Sequence, residues 1–287
     1  MVALPEQKIG GGIGASEIAA VMGLHPWTSP IEVYLQKIGE MPPMEDNDFT
    51  RWGRWMEARI REWYVEKTGA RVFVPSESLY HDVYTFLRAT PDGIILDDDG
   101  RPSAVMDCKV ANWRVSDRFG EPGTDDIPWM YYAQLQQQML VCAVGIGHLE
   151  ASVGGMPPQT WTVARDEDFI AAIVDDGAEF WRRVQERIPP DVDHTESYRR
   201  YLDQKQASEK ELAADLHLDA LVEDIKDSRE RMAASKRYHD LCENQLRERL
   251  AAEEAVILYA SAGKISWRPQ DNGKRPLRYP KGFPAKG

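Results

Sequence analysis

Apolar residues recur every three to four positions in some stretches of the chain and alternate or run together in others, and each change of period marks an element. From Phe49 to Thr68, Trp52, Met56, Ile60 and Trp63/Tyr64 return at helical spacing and stop at Gly69, which predicts a helix buried along that stripe. A second helix is expected from Pro128 to Gly145 ("PWMYYAQLQQQMLVCAVG"). A third, acid-started and base-ended, runs over "DEDFIAAIVDDGAEFWRRVQERI", an order the helix dipole favours. "TSPIEVYLQKIGE" reads as a shorter helix with Ser29 as cap, Pro30 in the first turn and Glu32 completing a capping box. Strand-like text lies between: "RVFVP", "VYTFLRATPDGIIL", "SAVMDCKVANW", "IGHLEASVGG" and "QTWTVAR".

Helix, strands, helix, strands, helix is the order of a mixed α/β core with helices on both faces of a central sheet. That core is expected over residues 1–190. "PPDVDHTES" begins a linker over 191–203, and residues 204–287 form an extension. There a long polar helix or helix pair (204–253) carries irregular apolar points at Leu212, Leu216, Leu221, Ile225, Met232, Leu241 and Leu250, followed by a β-hairpin and a basic tail.

The 287 residues are 43% hydrophobic and 29% charged, ordinary for a globular protein. No apolar run is long enough to cross a bilayer, and no signal-peptide region is evident, so a cytoplasmic setting is expected. Cys108, Cys142 and Cys242 are widely spaced, which argues against a disulfide framework or a cysteine metal site. The net charge of −12 is uneven. Residues 1–198 hold 17 basic against 32 acidic residues (−15) and residues 199–287 hold 18 against 15 (+3). From Lys264 onward seven basic residues, among them Arg268, Lys274 and Arg275, face one acid, Asp271. An acidic body disfavours nucleic acid unless its acids gather round a metal and basic segments supply the phosphate contacts.

Two stretches carry candidate chemistry. "GGGIGASEIAAVMG" (10–23) looks like a phosphate cradle, yet it lacks the Gly-Lys-Ser/Thr of a Walker loop and the leading strand of a Rossmann turn. What remains is a glycine-rich approach to a small-residue helix with Ser16 as N-cap, whose free N–H groups suit an anion. In "TPDGIILDDDGRPSAVMDCKV", a turn closed by Asp97 and Gly100 sets Asp92 opposite Val105 with Asp107 as its diagonal neighbour; Lys109 shares that face, and Ala104, Met106, Cys108 and Val110 point into the core. Carboxylates packed so closely repel unless a proton or a hard cation such as Mg²⁺ intervenes. Such a cation would serve phosphodiester hydrolysis, with Lys109 near the attacking water.

"PD" at 91–92 with "DCK" at 107–109 resembles the PD-(D/E)xK nuclease signature. "RWGRWMEARI" before it, "AQLQQQM" after it and the opening "GIGASEIAAVMGLHPWTSP" are similar to motifs of the YqaJ-type viral recombinases, the family of phage lambda exonuclease. The four stand in the family's order over roughly residues 10–145. The resemblance implies a restriction-endonuclease-like α/β core and one or two Mg²⁺ or Mn²⁺ ions held by Glu57, Asp92, Asp107 and the Cys108 carbonyl. It makes Lys109 the catalytic lysine and Gln134 an aligning residue, and it puts Ser16 and the backbone at Gly14 on the 5′-phosphate of a DNA end. Arg51, Arg54 and Lys8 are candidates to accompany Ser16 there. The same likeness implies a phage exonuclease in the bacterial host cytoplasm. It would degrade one strand of linear duplex DNA from 5′ to 3′ and leave a 3′ single strand for a single-strand annealing protein. The enzyme would be a ring-shaped homo-oligomer such as a trimer. Another PD-(D/E)xK endonuclease, or an inactive module that binds DNA ends or a partner, is the alternative.

Overall fold

The structure is a computed structural model that describes residues 11–41, 47–203, 213–254, 256–260, 263–268 and 275–278. The chain divides into two compact units, Met1–Gln206 and Ala207–Gly287.

In the first unit a five-stranded sheet carries the fold. Its strands are β2 (Arg71–Phe73), β5 (Gly93–Leu96), β6 (Pro102–Ala111), β7 (Ile146–Val153) and β8 (Gln159–Ala164), side by side in that order. All neighbours are antiparallel except β6 and β7, which run parallel. A parallel pair needs a crossover, and α4 (Trp129–Cys142) supplies it. Beside this sheet, β1 (Ile13–Gly14), β4 (Leu87–Ala89) and β3 (Leu79–Tyr80) form a smaller one, with β1 parallel to β4. The remaining helices of the unit are α1 (Ala15–Val21), α2 (Pro30–Lys37), α3 (Asp48–Thr68), α5 (Glu167–Glu186) and α6 (Glu196–Asp203), with a 3₁₀ turn at Trp113–Arg118.

The central strand β6 is covered on both faces. Val105 packs with Leu135 and Met139 of α4. On the other face Ala104, Met106 and Cys108 pack with Ile60 and Tyr64 of α3. The face of Asp107 and Lys109 is therefore a covered one, and Asp107 is 2% exposed. Val110, expected in the core, is 40% exposed because β6 runs past the end of β5 there.

Several local expectations are corrected. The cap of α1 is Gly14, not Ser16: the Glu17 carboxylate reaches back to the Gly14 N–H at 2.6 Å and does the capping from inside the helix. Ser29 caps α2 by position, but its hydroxyl makes no cap hydrogen bond. In α3, Ile60 and Tyr64 are buried while Trp52, Trp55 and Trp63 are 55%, 58% and 44% exposed, so only part of the apolar stripe meets the sheet. The 191–203 segment, expected as a linker, carries α6, and Tyr198 and Tyr201 place it in the core cluster of α1, α2 and α5.

In the second unit α7 (Leu216–Ala252) is one continuous helix of 37 residues, capped by the Asp215 side chain on the Leu218 N–H. Its apolar points are largely exposed, from Leu221 at 44% to Leu216 at 91%, while Leu250 is buried. The hairpin is β9 (Ile257–Ala260) with β10 (Gly263–Ser266). Leu212 of the expected helix and Lys274 of the tail lie outside the described residues. No described helix is long and apolar enough to cross a membrane.

Candidate active site

The site begins where the ladder between β5 and β6 stops. Gly93 lies opposite Met106, so the next residues along are Asp92 and Asp107, one across from the other. The expected diagonal relation is off by two residues: the turn is one residue longer, with Leu96 opposite Pro102, and a bulge at Ile95/Leu96 shifts the register by one more. Past Met106 the edge of β6 toward β5 has lost its strand partner. The Asp92 carboxylate takes its place and accepts the Cys108 N–H at 2.6 Å. In an extended strand the Cys108 carbonyl points to the same edge. A side chain at Gly93 would force its neighbours to move, since a Cβ there would stand 2.5 Å from Val72 and 2.9 Å from Met106. Arg61 of α3 fixes the turn by donating to the Asp92 carbonyl at 2.9 Å.

Asp107 is held from above by α4. Gln134 and Gln138, one turn apart, donate to its Oδ1 at 2.6 and 2.9 Å. Its Oδ2 lies 2.5 Å from Lys109 Nζ. Gln134 thus sits where the sequence placed it, but it grips the aspartate that holds the lysine. Gln138 was not singled out as a site residue; its signal was the i, i+4 spacing from Gln134, which puts both amides on one helix face. The other two glutamines serve the frame. Gln137 donates to the carbonyls of Ile13 and Arg88, tying β1 to β4, and Gln136 bridges Ala164 and Asp166 between β8 and α5.

Glu57 comes from α3, on the stripe it shares with Ile60, Arg61 and Tyr64. It is half-buried and feels the charges of Lys109, Asp107, Arg54 and Arg61. Burial raises its pKa, and the charge of Asp107 adds to the rise. Asp92 is raised to about 7, first by burial and then by Asp107. Burial alone would lower Lys109, but Asp107 and Asp92 outweigh it and hold the ammonium above its usual value. Burial pushes the Cys108 thiol up, and its side chain packs in the core cluster with Ile60 and Tyr64, away from Asp107.

Three carboxylates, Asp92 with its pKa at about 7 among them, therefore gather round the Lys109 ammonium in a largely buried place, with Arg54 and Arg61 also acting on Glu57. Hard oxygens with uncompensated charge fit a divalent cation such as Mg²⁺. Among the described residues no group of three His, Cys, Asp or Glu side chains is arranged to hold a metal ion. One Asp92 oxygen accepts the Cys108 N–H and Asp107 Oδ1 accepts both glutamines, while the buried Asp107 Oδ2 has the Lys109 ammonium beside it but no hydrogen-bond partner among the described residues.

At the glycine-rich end, Ser16 is exposed, but the Gly14 N–H is already taken by Glu17, whose carboxylate Lys37 pairs at 2.6 Å. The basic residue beside Gly14 is Arg88, its register partner on β4. Its guanidinium lies 4.0 Å from Glu17 and donates to Ser78 at 3.1 Å. Sequence reading missed Arg88, since only the β1–β4 pairing brings the two together. Arg51 and Arg54 are exposed on α3, and Lys8 lies outside the described residues. Lys264 and Arg268 are exposed at the hairpin of the second unit, where Arg275 lies over the Trp267 ring at 5.3 Å.

Residues 8–144 match the YqaJ-like viral recombinase domain. The chain is 26% identical over 210 residues to the uncharacterized protein YqaJ of Bacillus subtilis (strain 168), covering 71% of this chain; it spans only 64% of that relative's length. Among solved structures it is similar to an alkaline exonuclease from Laribacter hongkongensis, at a TM-score of 0.51 and 21% identity over 63% of this chain and 91% of that one. A structure of that enzyme in complex with dAMP gives a TM-score of 0.50, with the same identity and coverage. The likeness is one of fold: a central mixed sheet flanked by helices.

Proposed function

We propose that the chain, whose residues 8–144 match the YqaJ-like viral recombinase domain, is a divalent-metal-dependent DNA exonuclease that removes nucleotides from 5′-phosphorylated ends of linear duplexes and leaves a 3′ single strand. The observation that carries this reading is the aspartate pair at the open end of the β5–β6 ladder, with Lys109 and two glutamines locked onto Asp107. Glu57, Asp92, Asp107 and the Cys108 carbonyl would hold Mg²⁺ or Mn²⁺. The metal would supply charge neutralisation at the scissile phosphate and a hydroxide-like nucleophile. Gln134 and Gln138 fix the rotamer of Asp107, and Asp107 fixes Lys109. An ammonium so paired is suited to hydrogen-bond the attacking water and a phosphate oxygen rather than to accept a proton. Ser16 and Arg88 would take the terminal 5′-phosphate, because Glu17 has claimed the Gly14 N–H and Lys37 has neutralised Glu17.

The test is digestion of linear duplexes with 5′-phosphate or 5′-hydroxyl ends beside a covalently closed circle, in Mg²⁺ and in EDTA. Metal-dependent loss of the phosphorylated linear DNA alone, abolished in Asp107→Ala, is the expected result. Ser16→Ala and Arg88→Met should erase the preference for phosphate. Cutting of the circle would replace the exonuclease by an endonuclease. DNA retardation without cutting would leave a binding module.

A further inference from the structure

Along α7 every residue from 219 to 242 is exposed, about 36 Å of helix. A helix wetted on all sides draws little from packing, and pairs such as Lys226 with Glu223 at 3.0 Å add only about 0.2–0.5 kcal/mol each. Its apolar residues nevertheless fall into a register. Leu218, Ile225, Met232, His239 and Leu246 recur every seventh residue, and Leu221, Ser228, Ser235 and Cys242 stand three places after the first four. These are the a and d places of a heptad. The larger apolar points look irregular because small or polar residues occupy the rest of the seam. Leu221, Ile225 and Met232 are 44%, 53% and 70% exposed, so the seam faces water.

We propose that α7 pairs with α7 of a second copy as an antiparallel two-helix coiled coil that crosses between Lys226 and Asp227. Packing and charge both favour this occupant and this direction. A parallel, in-register pair would stack Ser228 on Ser228 and Ser235 on Ser235, two layers with no apolar contact. It would also set residues 219–227, with four acids and one lysine, against their own copy, and residues 229–237, with four bases and one acid, against theirs. Turned end for end, the seam closes. Leu218 meets Ser235 of the second copy, Leu221 meets Met232, and Ile225 meets Ser228, each twice by symmetry, so every central layer holds a large apolar side chain. The same alignment brings Asp224 beside Arg231 of the second copy on the flank of the seam. Such a contact is isologous and closes at two chains. It is independent of the exonuclease reading.

The experiment uses the full chain carrying Cys142→Ser, which leaves Cys242 as the exposed thiol beside the buried Cys108. Sedimentation equilibrium reads the mass, and a short bis-maleimide reads the geometry. Ser228→Cys should cross-link to its own copy, because the two positions stand three helical rises, about 4.5 Å, apart along the seam. Cys242 should not, since 31 rises, about 46 Å, separate the pair. Asp224→Arg and Arg231→Asp should each weaken pairing at least about tenfold by setting like charges together twice, and the two changes combined in one chain should restore it. A cross-link through Cys242 would overturn the antiparallel pairing in favour of a parallel one. Failure of both cross-links, with the same mass in wild type and all the charge variants, would overturn self-pairing and give the seam to a different protein.

Discussion

Two helices cover opposite faces of β6, and they treat polarity in opposite ways. α4 has no charged residue, and each of its four glutamines is spent on a protein acceptor: Asp107 twice, a β1–β4 carbonyl pair, and the β8–α5 junction. α3 is rich in charge and offers much of it outward. Arg51, Arg54 and Arg59 are exposed, and the rings of Trp52 and Trp55 stack at 5.2 Å in solvent. Each supplies part of the same site, α4 the grip on Asp107 and α3 the half-buried Glu57. The contrast separates two tasks. On α4 the buried amides set geometry, whereas on α3 the exposed Arg51 and Arg59 pair with Asp48 and Glu62 of their own helix and stay in contact with solvent.

That contrast can be broken where it is strongest. Asp107→Ala, which removes the atom that α4 grips, should lower the rate of DNA hydrolysis by at least about 10³-fold while DNA retention persists, as initial rates beside gel retardation would reveal. Next comes packing. Leu135→Ala on α4, fully buried, should cost about 2–5 kcal/mol in urea unfolding. The electrostatics of the shared site follow. Asp92 has a folded pKa of about 7 against an unfolded value near 3.9, so the folded state binds the extra proton. In EDTA its contribution therefore weakens as pH rises from about 4 to 7 and levels off above. Asp92→Asn should gain thermal stability relative to wild type over that window, and a constant difference across it would refute the assignment. Gln138→Ala should cost about 1–3 kcal/mol, because it strips one donor from a buried carboxylate, and the loss should appear in a denaturant midpoint. Smallest of all, Trp52→Ala on the outer face of α3 should shift stability by no more than about 0.5 kcal/mol.

Much of the frame was legible because its signals are local. Strand-like text covers the five strands of the main sheet, although one stretch, "VYTFLRATPDGIIL", runs together β5 and the β4 of the smaller sheet, and Pro128 with the neutral run after it marks α4. The Asp-x-Lys spacing put Asp107 and Lys109 on one face of one strand. Other features depend on partners distant in sequence. Nothing near Ile13 announces a strand, since its partner Leu87 lies in the next sheet motif. Arg88 joins the phosphate end by that same pairing. Trp52 and Trp63 share the spacing of Ile60, but the sheet is too narrow to cover the whole stripe. Glu17 displaced Ser16 as the capping group because a carboxylate within the helix reached the Gly14 N–H first. The α6 tyrosines looked like linker because a single helical turn of apolar residues shows no period.

The bond from Gln137 to the Ile13 carbonyl spans 124 residues. During synthesis at about 5–20 residues per second, β1 waits roughly 6–25 s after it is made for the amide that ties it down. Asp107 likewise acquires both of its glutamines only when residue 138 has emerged. A half-made chain on the ribosome thus carries its acidic strand without the helix that aligns it, and the candidate site is assembled only once the chain is long enough to fold.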